Sequence, residues 1–136
     1  MTAGEFDRIV ERAIASIPWR YRRRLQNVAF VVEEDSPGGA LLGLYEGRPL
    51  PHRSVSDSFR MPDHITIYQK PHERLAHDAG HLEQLVRDTV WHEIAHYFGM
   101  TEAQVRGAES RRARKRLGQR ARAIRPPGRR PTGDGP

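Results

Sequence analysis

The stretch "WHEIAHYFGMTEAQ", residues 91–104, constrains this chain more than any other. His92 and His96 stand four apart. A helix turns about 100° per residue, so the two rings lie one turn above the other on one face. Two imidazoles in that arrangement can reach one metal ion from the same side. Glu93 lies about 100° round from His92, where it can reach a water on such an ion without being a ligand. A tetrahedral zinc site open to chemistry needs three protein ligands and a free position. Glu102 is the candidate third ligand. On an unbroken helix it would sit roughly 9 Å beyond His96 along the axis. Gly99 removes that difficulty, because glycine takes the positive-φ turn that sends the chain back. Any fold for this chain must therefore hold a helix with two histidines near its end, stop it at Gly99, and turn.

That helix is expected over residues 81–98 and to be buried at its C-terminal half. Val90, Trp91, Ile94 and Phe98 crowd the face away from the histidines, while Leu85 and Thr89 share the histidine stripe. Thr101 has the position of a cap for a further helix, with Gln104 completing a capping box. Glu102 also suits the first turn of that helix, where the dipole favours an acid. His77 and His81 are four apart as well, but Gly80 lies between them and no acid follows as a third ligand. A surface or capping role fits that pair better.

Elsewhere the pattern is mixed. Phe6, Ile9, Val10, Ala13, Ile14 and Ile17 keep helical rhythm, Thr2 and Glu5 have capping-box spacing, and Pro18 reads as the helix end. "WRYRRRL" is a polar bridge or short helix. "NVAFVVEED" is apolar on both parities and predicts a strand buried on both faces. "SPGGA" is a loop, and "LLGLYEG" is a strand running into a turn at Glu46-Gly47. Residues 48–63 read as an irregular connection. "HITIYQ" is a third strand with unequal faces, closed by Pro71, and Ile65–Tyr68 is a candidate edge for an extended ligand. "HERLAHDAGH" is a short helix or turn.

Composition sets limits. The 136 residues suit one small domain, and the absence of cysteine excludes disulfides, thiol nucleophiles and zinc ribbons. No secretory leader pattern or membrane-length apolar run is present, so a soluble cytoplasmic protein is expected. The +6 net charge divides unevenly. Residues 106–136 hold eleven Lys/Arg against Glu109 and Asp134, whereas residues 1–105 hold twelve against fifteen acids. The basicity belongs to the tail, and residues 118–136 are expected to be disordered. Such a tail could contact nucleic acid or an acidic partner through charge alone. No aromatic residue follows Phe98 to stack on a base.

"HEIAHYFGMTE" resembles the HExxHxxGxx(D/E) signature of the small bacterial minimal zincins, a metallopeptidase-like family. "FDRIVERAIASIP", "NVAFVVEED", "LLGLYEG" and "MPDHITIYQKP" resemble its other blocks, in the same order. The resemblance runs from about Phe6 to about Arg106 and implies an α+β fold, with a small mixed sheet packed against an active-site helix; the domain is expected over residues 1–117. It implies Zn2+ bound by His92, His96 and Glu102, and Glu93 as general base. The expected function is a zinc-dependent metallopeptidase acting on a peptide or protein substrate. The alternative is a zinc-binding domain with little or no proteolysis, serving as a binding or regulatory module. Tyr68, His64 and His72 are the candidates for stabilising an oxyanion.

Overall fold

A computed structural model gives the structure of residues 1–47 and 61–123, without the side chains of residues 102 and 119–123. Helix α1 spans Ala3–Ala15. Its capping box forms as the spacing predicts: Glu5 N donates to Thr2 Oγ1 at 3.1 Å, and Thr2 N donates to the Glu5 carboxylate at 2.7 Å. Those carboxylate bonds, made by an exposed side chain, hold the Glu5 pKa below its ordinary value. The buried stripe is Phe6, Ile9, Val10 and Ala13.

Both prolines read as terminators begin helices instead. Pro18 is the N-cap of the short helix α2, Trp19–Arg22, and α1 has already ended at Ala15. The first turn of a helix has N–H groups without intrahelical partners, so a residue lacking one costs little there. Pro71 lies in the same kind of position, described below with its helix.

Strand β1 is Val28–Glu33, β2 is Gly43–Glu46 and β3 is Asp63–Tyr68. The sheet order is β1-β3-β2. β3 pairs in parallel with β1, Phe30 opposite Ile65, and antiparallel with β2, Tyr45 opposite Ile65. Two expectations change. Among the described residues β1 is an outer strand, half-buried from Val28 to Val32 rather than buried on both faces. β3 is the central strand, with every residue from Ile65 to Tyr68 buried, so Ile65–Tyr68 offers no free edge. The apolar run in β1 reflects partial cover on both sides, which periodicity cannot distinguish from full burial. Residues 48–60 of the connection read as irregular lie outside the described residues.

Helix α3, Gln69–Leu75, follows β3 directly, with Pro71 in its first turn. Asp78 caps α4, Ala79–Tyr97, by accepting from His81 N at 2.8 Å. The His81 ring in turn accepts the His77 N–H at 3.0 Å, and the two rings stack at 4.7 Å. That pair therefore serves the helix entry. The core joins α1, β3 and α4: Phe6, Ile65, Ile67, Val86, Val90 and Ile94 are all fully buried. Each such side chain contributes about 1.5–3 kcal/mol on burial.

Met1–Thr101 is one compact unit, and the described part of the second is α5, Glu102–Ala123. That helix continues through residue 118, where composition places the start of a tail; residues 124–136 lie outside the described residues. No helix among the described residues is long and apolar enough to cross a membrane.

His72 is wholly buried in α3. Its Nδ1 lies 2.6 Å from Tyr68 O, an acceptor, so Nδ1 carries the hydrogen. Its Nε2 lies 2.8 Å from Thr89 Oγ1. The ring thus ties α3 to α4 and is engaged at both nitrogens, which removes it from the oxyanion candidates. Tyr68, 5% exposed, is also held in the core, and burial pushes its hydroxyl pKa up. Burial is likewise the main cause lowering the His72 pKa, opposed by its bond to Tyr68 O. The unfolded chain therefore binds the His72 proton before the folded chain does. Stability should be level above about pH 6.5 and decline as the pH falls below it, by at most about 1.4 kcal/mol per unit. Urea unfolding between pH 7.5 and 5.5, set against a His72→Gln variant, checks this; an equal decline in the variant would remove the assignment.

Candidate metal centre

The last two turns of α4 place the sequence-predicted residues. His92 and His96 are both half-buried, with ring centroids 4.8 Å apart and planes at 67°. Glu93, between them in sequence, is 7% exposed. The opposite side of the same turns carries Val90 and Ile94, both fully buried. The helix therefore presents one polar stripe and packs everything else, as its pattern predicts.

The helix ends as the glycine requires. Phe98 is its C-cap, and Gly99 follows with φ +82°. Gly99 N donates to His96 O at 2.9 Å, and Met100 N donates to Ala95 O at 3.1 Å. This is the Schellman arrangement, in which a left-handed residue lets the next N–H reach back to the last turn. Glu102 then opens α5. Its side chain lies outside the described residues. Among the described residues, no three His, Cys, Asp or Glu side chains form a metal-holding cluster. His92 and His96 are the pair the structure brings together. Paired imidazole nitrogens beside a carboxylate that is not needed as a ligand suit zinc.

Two neighbours sharpen this geometry. Thr89, one turn before Glu93, is buried at 6%. Its hydroxyl lies 2.8 Å from His72 Nε2 and 3.0 Å from Leu85 O, so its polar group serves the core. The second neighbour, Gly43, was not singled out by sequence reading. A Cβ built on Gly43 would stand 2.7 Å from Thr89 Cγ2, 3.2 Å from Glu93 Cγ and 3.2 Å from Thr66 O. Only the missing side chain lets β2 lie this close to α4, pressed on the carbon stem of Glu93. A glycine inside an apolar strand marks such an approach, and that signal is present in "LLGLYEG".

The far side of the helix end is held by α2 and the loop after it. Tyr97 is fully buried and accepts from Gln26 N at 3.0 Å, with Arg24 O and Gln26 O each 3.3 Å from its hydroxyl. Tyr21 packs edge-on against Trp91 at 5.5 Å and Phe98 at 6.2 Å.

Comparison with known proteins gives the family. The model of the zincin-like metallopeptidase family matches residues 25–111. The chain belongs to that family. The match takes in the whole sheet, α4 and the start of α5. Among solved structures, the chain is similar to a conserved hypothetical protein from Thermus thermophilus, at 29% identity and a TM-score of 0.50. That alignment covers 72% of this chain and 94% of the other. No curated protein matches.

Gly43→Ala tests the packing of this zincin-like site. The added methyl meets a β-branched side chain and a backbone oxygen, neither of which can swing away. We expect a loss of about 1–3 kcal/mol in stability. Urea unfolding midpoints check this. Unchanged stability would show that β2 does not press on α4 at this point.

Proposed function

We propose that this chain is a zinc-dependent peptidase, with His92, His96 and Glu102 as ligands and Glu93 as general base. The observation that carries the reading is the half-buried pair His92 and His96 on one turn of α4, with Glu93 buried beside them. Membership of the zincin-like metallopeptidase family supports it. Glu102 enters on its spacing after the Gly99 turn. When bound, the ion would polarise a scissile carbonyl and acidify a water at neutral pH.

The protein's own groups do the rest. Glu93 takes a proton from the attacking water and passes it to the leaving nitrogen. That role needs a carboxylate that does not wander, and β2 passes so close that a Cβ on Gly43 would stand 3.2 Å from Glu93 Cγ. His92 and His96 each offer a ring nitrogen from a helix held by its buried face, so the pair is organised before any ligand arrives. An extended peptide needs a free strand edge. β3 is paired on both sides, while β2 has β3 on one side only among the described residues. β2 is also the strand pressed on Glu93. A substrate strand laid along β2 would run beside the base.

The test has three parts. Glu93→Gln should keep stoichiometric zinc by elemental analysis and lose chelator-sensitive cleavage of a peptide library. His92→Ala should lose the metal. Glu102→Ala should weaken zinc binding by about tenfold or more. Full cleavage by Glu93→Gln would end the base assignment. Zinc in the native protein without any chelator-sensitive cleavage would leave a zinc-binding module in place of a peptidase.

A further inference from the structure

Arg20, Arg22, Arg23 and Arg24 place four guanidinium groups within five residues. The surrounding chain is otherwise acidic on balance, since residues 1–105 hold fifteen acids against twelve bases. Like charges this close repel, and nearby acids normally offset them. Ion pairs elsewhere, such as Arg12–Glu83, Lys70–Glu34 and Arg74–Asp35, do not involve this run. Arg20, Arg23 and Arg24 are all exposed.

The same residues wall a cavity of about 790 Å³, lined by Arg20, Tyr21, Arg23, Arg24 and Gln26. That volume lies within the roughly 300–1,000 Å³ range of ligand pockets. Its frame is fixed. Tyr21 is wedged against Trp91 and Phe98, and the buried Tyr97 hydroxyl bonds the backbone of Arg24 and Gln26. Two of the arginines are held by rings: Arg20 over Tyr21 at 4.8 Å and Arg24 over Phe98 at 5.7 Å. Lying over a ring orients a guanidinium without neutralising it. Arg20 also donates one N–H to the Tyr21 hydroxyl at 3.5 Å, and its other N–H groups remain for an anion.

We propose that this cavity binds an acidic stretch of polypeptide, a run of aspartate or glutamate side chains. Guanidinium groups pair with carboxylates in a two-bond fork, so three of them around one opening suit several carboxylates in succession. Single-stranded nucleic acid fits less well. Its bases need open aromatic faces, and the ring in the cavity lining, Tyr21, already carries Arg20 on its face and meets Trp91 and Phe98. Trp19, 67% exposed, is outside the lining and has Arg22 over it. The site does not depend on hydrolysis at the metal centre.

The experiment uses the full chain carrying Glu93→Gln, so that no probe is cut, in metal-free buffer at about 0.15 M salt. The probe is a fluorescent peptide with an uninterrupted run of aspartates, read by anisotropy beside its all-asparagine counterpart. Replacing Arg20, Arg23 and Arg24 by glutamine should weaken aspartate-peptide binding by about tenfold or more. An equal loss of charge from the basic helix, Arg111→Gln, Arg114→Gln and Lys115→Gln together, should change it by less than about threefold. Arg23→Gln alone, at an arginine with no ring contact, should retain the native melting midpoint and weaken binding by severalfold. The proposal is overturned if the α5 variant loses as much as the cavity variant, or if the asparagine peptide binds equally. It is also overturned if an oligothymidylate displaces the peptide more tightly than unlabelled aspartate peptide does. Binding is measured without metal or turnover, so its failure would leave the peptidase reading standing, and the reverse holds too.

Discussion

One face of α4 must be dry while the other carries polar chemistry, and the rest of the structure follows from meeting both demands. Val86, Val90 and Ile94 are fully buried at four-residue intervals and meet Phe6, Ile65 and Ile67. That contact fixes the helix axis against the central strand. Its consequence is that His92, Glu93 and His96 have few ways to move. Among the described residues, the histidine pair inherits its order from a helix that the core holds. A small domain gains by this economy, because each ordered loop residue costs about 1–2 kcal/mol of backbone entropy.

Two polar side chains inside this core form pairs that join elements. His72 connects α3 to α4 through Thr89, and Tyr97 connects α4 to the loop before β1. A buried polar atom without a partner costs about 1–3 kcal/mol, so these bonds also discriminate against other packings. Gly43 acts in the opposite sense, by absence. The space where its side chain would stand is occupied by Thr89 and Glu93. The close approach of β2 to the helix thus joins the catalytic candidate to the sheet by plain steric contact.

Charge follows a different logic from the core. Lys70–Glu34 and Arg74–Asp35 bind α3 to the chain just after β1 as exposed pairs. Hydrogen bonds from Arg74 lower the Asp35 pKa and raise that of Arg74. Exposed pairs of this kind contribute little to stability. The arginines at 20–24 form no such pairs among the described residues, and they sit on a segment that the core holds still. Fixed, uncompensated charge on a rigid frame is a feature of recognition surfaces more than of folding.

Much of this was legible in sequence where the physics is local. The capping box of Thr2 and Glu5, the histidine pair, the left-handed Gly99 and the polar stripe of α4 each depend on residues within about one helical turn, and each stands where the pattern placed it. Local rules misread the prolines, because Pro18 and Pro71 are equally at home in a first helical turn. They also misplaced the edge. The apolar run of β1 marks cover on both faces, and the alternation of β3 marks unequal faces, but neither shows whether a strand is flanked on both sides. Strand order, the role of Gly43, the burial of His72 and the arginine-lined cavity were decided only by tertiary structure. All four arise from contacts between residues far apart in the chain, whose energies depend on how the elements pack and leave no periodic mark in either segment alone. The sequence by itself determined the helix, its histidines and the turn that ends it; packing decided what presses on Glu93.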